Sequence, residues 1–81
     1  MNLSKEQIRF IEELGFELVE SDYFEKQGDY ETFYLIVKES KFFLEVQQTL
    51  IESDGTFYTD YYKEYPEEGQ SLNEFLTNFF K

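Results

Sequence analysis

The sequence predicts an α+β fold: a four-stranded antiparallel meander flanked by N- and C-terminal helices, in the order α-β-β-β-β-α. Three observations carry this reading. Apolar residues recur with helical spacing at both ends of the chain, and with strand-like alternation through its middle. Short polar connections separate the middle segments, and connections that short turn a strand back antiparallel to its neighbour. The strongest of them, Glu52-Ser53-Asp54-Gly55, lies between two arms rich in aromatic and β-branched residues, a hairpin signal because Gly accepts a positive φ. Two amphipathic helices need an apolar face to cover, so both are expected on one face of the sheet.

The elements follow in order. Ser4 caps a helix over about residues 5–14, with Gln7 reaching back and Leu3 stapling onto Ile8. Ile8, Ile11 and Leu14 form its stripe, Phe10 widens it, and Gly15 stops it. Phe16 to Phe24 reads as one strand, with Phe16 and Leu18 on one face and Glu17, Val19 and Ser21 on the other. Gln27-Gly28-Asp29 is a turn. Tyr30 to Lys38 is a strand in which Phe33, Leu35 and Val37 alternate with Tyr34 and Ile36. After Glu39-Ser40-Lys41, Phe42, Leu44, Val46 and Leu50 form the core side of the next strand, opposite Phe43, Glu45, Gln47 and Thr49. The fourth strand covers about residues 56–64, and its inward side depends on the loop. A two-residue Asp-Gly loop turns Thr59 and Tyr61 inward; a three-residue loop with Gly55 left-handed turns Tyr58 and Tyr62 inward instead. Pro66 ends the sheet. Ser71 and Glu74 form a second capping box, and Leu72, Phe75, Leu76 and Phe79 give the stripe of a helix over about residues 72–80.

Composition narrows the function. The 81 residues suffice for one domain, residues 1–81, with no room for a second core. His, Cys and Trp are absent, which removes Ser-His and Cys-His nucleophiles and His- or Cys-based zinc sites. The four glycines stand singly, so no phosphate-cradling loop is present. Asp54, Asp60 and Glu64 do not follow the calcium-loop spacing. No enzyme activity, cofactor or metal is therefore expected, and a small carboxylate-based enzyme is the least favoured alternative. The N-terminal residues lack a signal peptide's apolar core and no run is long enough to span a bilayer, so a soluble, cytoplasmic protein without membrane contact is expected.

Charge and aromatic content point to a partner. Eighteen acids against seven bases give a net charge of −11. That exceeds the magnitude of about 2–8 that solubility asks of a small domain. Such a charge repels nucleic acid and speeds encounter with basic proteins. The acids concentrate in two segments: Glu20, Asp22, Glu25, Asp29 and Glu31 against Lys26, and Glu52, Asp54, Asp60, Glu64, Glu67 and Glu68 against Lys63. Ten Phe and seven Tyr are more than so small a core holds, which leaves rings for the surface. Same-face residues on a strand stand about 6.6 Å apart, close to the interval between neighbouring phosphates, so an acidic strand presents charge somewhat as a nucleic-acid backbone does. The expected binding residues are Tyr58, Asp60, Tyr62 and Glu64, joined by Glu45 and Tyr34 on the solvated side of the sheet. The partner is a basic protein, either a nucleic-acid-binding protein that this chain inhibits or a toxin that it neutralises as an immunity protein or antitoxin. An edge strand could also join a second copy, so a homodimer is possible.

In its general character, small, very acidic, Tyr-rich and without catalytic residues, the chain resembles phage-encoded inhibitors that occupy nucleic-acid-binding surfaces, anti-CRISPR proteins among them. The resemblance is one of composition over the whole chain and implies a non-enzymatic inhibitor; no residue roles follow from it.

Overall fold

The structure, a computed structural model, describes residues 3–20, 23–39 and 41–80. The elements are α1 (Lys5–Glu13), β1 (Glu17–Glu20), β2 (Tyr23–Gln27), β3 (Glu31–Lys38), β4 (Lys41–Ile51), β5 (Phe57–Glu64) and α2 (Leu72–Phe80). The strands form one sheet in the order β1-β2-β3-β4-β5, and each neighbouring pair is antiparallel.

The sheet has five strands where the sequence predicted four. The stretch expected as a single strand over 16–24 is two short ones that pair with each other, Leu18 lying opposite Phe24. Ser21, expected within that strand, and its neighbour Asp22 lie outside the described residues, as does Ser40 of the expected Glu39-Ser40-Lys41 connection. Ser and Asp offer the backbone local hydrogen bonds that compete with a ladder, which favours breaking a strand there. Phe16 also leaves the strand. Its N–H donates to the carbonyl of Ile11 at 3.3 Å, so it belongs to the end of α1. It is buried, whereas Leu18, expected on its face, is exposed.

Both helix starts form as the spacing predicts. The Gln7 N–H donates to Ser4 Oγ at 3.1 Å and the Ser4 N–H to Gln7 Oε1 at 2.9 Å. The Glu74 N–H donates to Ser71 Oγ at 3.1 Å and the Ser71 N–H to Glu74 Oε1 at 3.2 Å. Helices of nine residues are marginal alone, so their stability comes from packing. Ile11 of α1 and Leu72, Phe75 and Leu76 of α2 join Phe24, Phe33, Leu35, Val37, Leu44 and Val46 of the sheet in one buried cluster. Phe75 meets Phe42 at 5.6 Å between ring centroids, and Phe33 meets Phe79 and Phe80 edge-to-face at 5.9 and 5.1 Å. Leu3 packs against the cluster, but Ile8, expected in the α1 stripe, is exposed.

Ladder pairs fix which residues share a face. Leu35 pairs with Phe24 and Leu44, Phe33 with Val46, and Val46 with Tyr62. Opposed residues point the same way, so β5 turns Tyr58, Asp60, Tyr62 and Glu64 to the side that carries the core. This follows from the loop. Glu52 and Thr56 close it, with the Glu52 N–H donating to the Thr56 carbonyl at 2.8 Å, the Gly55 N–H to the Glu52 carbonyl at 3.0 Å, and Gly55 at φ +89°. It is the three-residue form with Gly55 left-handed. Yet no β5 residue joins the core, and every one of its residues is exposed.

Candidate functional site

The candidate site begins at the hairpin tip. Asp54 Oδ1 accepts from the Thr56 hydroxyl at 2.7 Å and from the Thr56 N–H at 3.0 Å. These bonds, the hydroxyl's first, hold the Asp54 carboxyl below its usual range. Asp54 thus serves the turn and fixes the register of both arms. From there β4 and β5 run without a bulge from Ile51–Phe57 to Leu44–Glu64.

The strand places four of the six expected residues together. Tyr58, Asp60, Tyr62 and Glu64 alternate along one side of β5, about 6.6 Å apart. Asp60 and Glu64 are thus about 13 Å apart with Tyr62 between them, two same-face intervals rather than one. Glu31 joins them by way of the sheet: it pairs with Gln48, which pairs with Asp60. The Tyr62 hydroxyl is held above its ordinary pKa, first by partial burial and then by the carboxylates of Glu64, Glu31 and Asp60. The sequence reading counted Glu31 in the first acidic segment but not among the binding residues, although its face was legible in the alternation with Phe33.

Tyr34 and Glu45 do not join that group. They lie opposite each other on the other face of the sheet, because their parity is that of Ile36 and Phe43. Tyr23 packs on Tyr34 at 5.5 Å, and its hydroxyl is also raised, by burial first and then by Tyr34 and the surrounding carboxylates. Glu45 pairs across to Lys63, whose Nζ stands 5.5 Å from the Phe43 ring. Phe43 in turn packs on Tyr65 at 5.5 Å. This second face is therefore of mixed charge, and the six expected residues are divided four and two between the two sides.

The β5 side suits a cationic guest. Exposed tyrosine rings offer their faces to guanidinium or ammonium groups, and the flanking carboxylates accept charge-assisted hydrogen bonds from them. Asp22, part of the first acidic segment, lies outside the described residues. Among the described residues no group of three acids converges to hold a metal ion, and no helix is long and apolar enough to cross a membrane. A depression of about 730 Å³ lies elsewhere, lined by Lys38, Lys41, Phe43, Tyr65, Glu67 and Gln70 among others. Comparison of the chain with protein-family models, curated proteins and solved structures finds no match, so a functional reading rests on this arrangement of side chains.

Proposed function

We propose that this chain is a non-enzymatic, cytoplasmic inhibitor that docks on a basic, nucleic-acid-binding surface of a protein partner. In this reading both helices cover the core part of one sheet face, and the β5 residues, on that same face, stay exposed beyond them to meet the partner. The observation that supports this reading is the strand itself: Tyr58, Asp60, Tyr62 and Glu64 alternate on an exposed β5, with Glu31 two strands inward, across Gln48. An edge that served only solubility would not need exposed tyrosines such as Tyr58 and Tyr62 on that side, since exposed rings add area and adhesion. The net charge of −11 supplies the long-range attraction.

The test is capture of partners from host lysate at low and high salt, followed by competition with a single-stranded oligonucleotide. The partner is expected to be basic, to be displaced by the oligonucleotide, and to bind more weakly as salt screens the charges. Tyr62→Ala is expected to weaken binding by about 2 kcal/mol if the ring is an anchor, and Asp60→Lys with Glu64→Lys to slow association. An affinity indifferent to salt would remove the reading.

A further inference from the structure

The two edges of the sheet are built differently. The β1 edge is four residues long, bears Glu17 and Glu20, and shifts register between Leu18 and Glu20. Shortness, charge and a bulge all blunt an edge against pairing. The β5 edge has none of these defences in the same measure. It is eight residues long, its register against β4 is unbroken, and Pro66 comes only after its end.

The backbone groups on that edge can be assigned. Glu52 bonds to Thr56, and hydrogen-bonded pairs recur every second residue in an antiparallel ladder. Tyr58, Asp60, Tyr62 and Glu64 therefore direct their N–H and C=O groups toward β4. The Thr49 N–H donates at 2.8 Å to Tyr30, on the β3 side, in agreement with this alternation. Phe57, Thr59, Tyr61 and Lys63 are left with N–H and C=O groups directed away from the sheet.

The geometry points to a second copy of this chain as the partner of that edge, with β5 pairing antiparallel to β5 about a two-fold axis through Tyr61. A two-fold axis perpendicular to the sheet pairs only residues of like parity, so the centre must fall on a residue. Centring on Asp60 sets that carboxylate against itself, and centring on Tyr62 sets Asp60 against Glu64 twice. Centring on Lys63 opposes the two ammonium groups. Centring on Tyr61 opposes Tyr61 to Tyr61, Asp60 to Tyr62, Thr59 to Lys63 and Tyr58 to Glu64, with no like charges face to face. It also overlaps seven of the strand's eight residues and brings the outward groups of Thr59, Tyr61 and Lys63 into register. The pairing runs through the strand's backbone edge and sets Tyr58, Asp60, Tyr62 and Glu64 of the two copies side by side on the face proposed to meet a basic protein, so either association can hold without the other.

Thr59 gives the test its sign. It is exposed, and in this register it faces Lys63 of the second copy twice over. Thr59→Glu creates two opposite-charge pairs and Thr59→Lys two like-charge pairs. Each cross-strand pair alters affinity modestly, so sedimentation over a concentration series is expected to show a dimer about 2- to 30-fold tighter for Thr59→Glu and weaker by a similar factor for Thr59→Lys. Net charge alone predicts the reverse order, because Thr59→Lys makes the chain less negative. The unaltered chain is expected to dimerise more readily as salt rises, and the Thr59, Tyr61 and Lys63 amides to gain exchange protection with concentration. A chain that stays monomeric throughout, variants that follow net charge, or edge amides protected only after a basic protein is added would each overturn the inference.

Discussion

Gly15 shows how much one residue decides. Its φ of +100° lies in the left-handed region, where a side chain is strained, and a Cβ built on it would stand 2.7 Å from Lys26 Nζ. The lysine comes from β2, and its Nζ also stands 5.9 Å from the Phe80 ring of α2. It thus ties the end of α1 to both the sheet and the second helix, and places a cation beside the α1 carbonyl end, where the helix dipole favours one. Gly15→Ala is expected to cost about 1–2 kcal/mol from backbone strain, with Lys26 displaced as well; chemical denaturation checks it. Tyr23 and Tyr62 contribute to the alkaline dependence of stability. Their hydroxyls are raised above 10.0 in the folded state, so the unfolded chain ionises first. Their contribution to stability is complete below pH 10.0 and is lost as pH rises through the folded values. Denaturation at increasing alkaline pH is expected to show this loss, and Tyr62→Phe to reduce it.

At the scale of the elements, β5 is the edge strand of the sheet and pairs with β4. Its partners include buried Leu44 and Val46 at one end, but Gln48, Thr49 and Ile51 toward the tip. Local opening is easiest where few buried apolar contacts resist it. Amide exchange is therefore expected to rank the β4-facing amides of Tyr58 and Asp60 well below those of Leu35 and Glu45, which face β2 and β3, with Tyr62 and Glu64 between. The same contrast explains what the sequence made legible. Helix caps and the core parities of β3 and β4 were readable because local rules and burial agree there. Splitting 16–24 into two strands was not, because alternation runs through Ser21-Asp22 without a break and only composition hints at an interruption. The side of β5 was readable only as two options, since Asp-Gly fits loops of either length and an exposed strand gives burial no vote. Tyr34 and Glu45 were grouped with β5 by charge and aromatic type, although their own alternation with Leu35 and Leu44 placed them on the far side.

For the whole molecule, charge and shape act on each other. A net charge of −11 is spread over a body of 47 × 25 × 22 Å, so much of its surface lies within a Debye length of some acid at physiological salt, about 8 Å. Salt then separates the two proposed associations by sign. It is expected to weaken docking on a basic partner, where attraction is screened, and to strengthen pairing with another copy, where repulsion is screened. Titrating salt in parallel binding and sedimentation measurements reads both from one preparation.

The bulge in β1 has a consequence for assembly size. A sheet that can be extended from only one border has a valency of one. If two molecules meet along β5, the outermost strand at each end of the resulting ten is β1, whose broken register offers a third molecule no continuous row of partners. Growth ends at the pair, and a protein so rich in aromatic residues is kept from stacking onward into fibres.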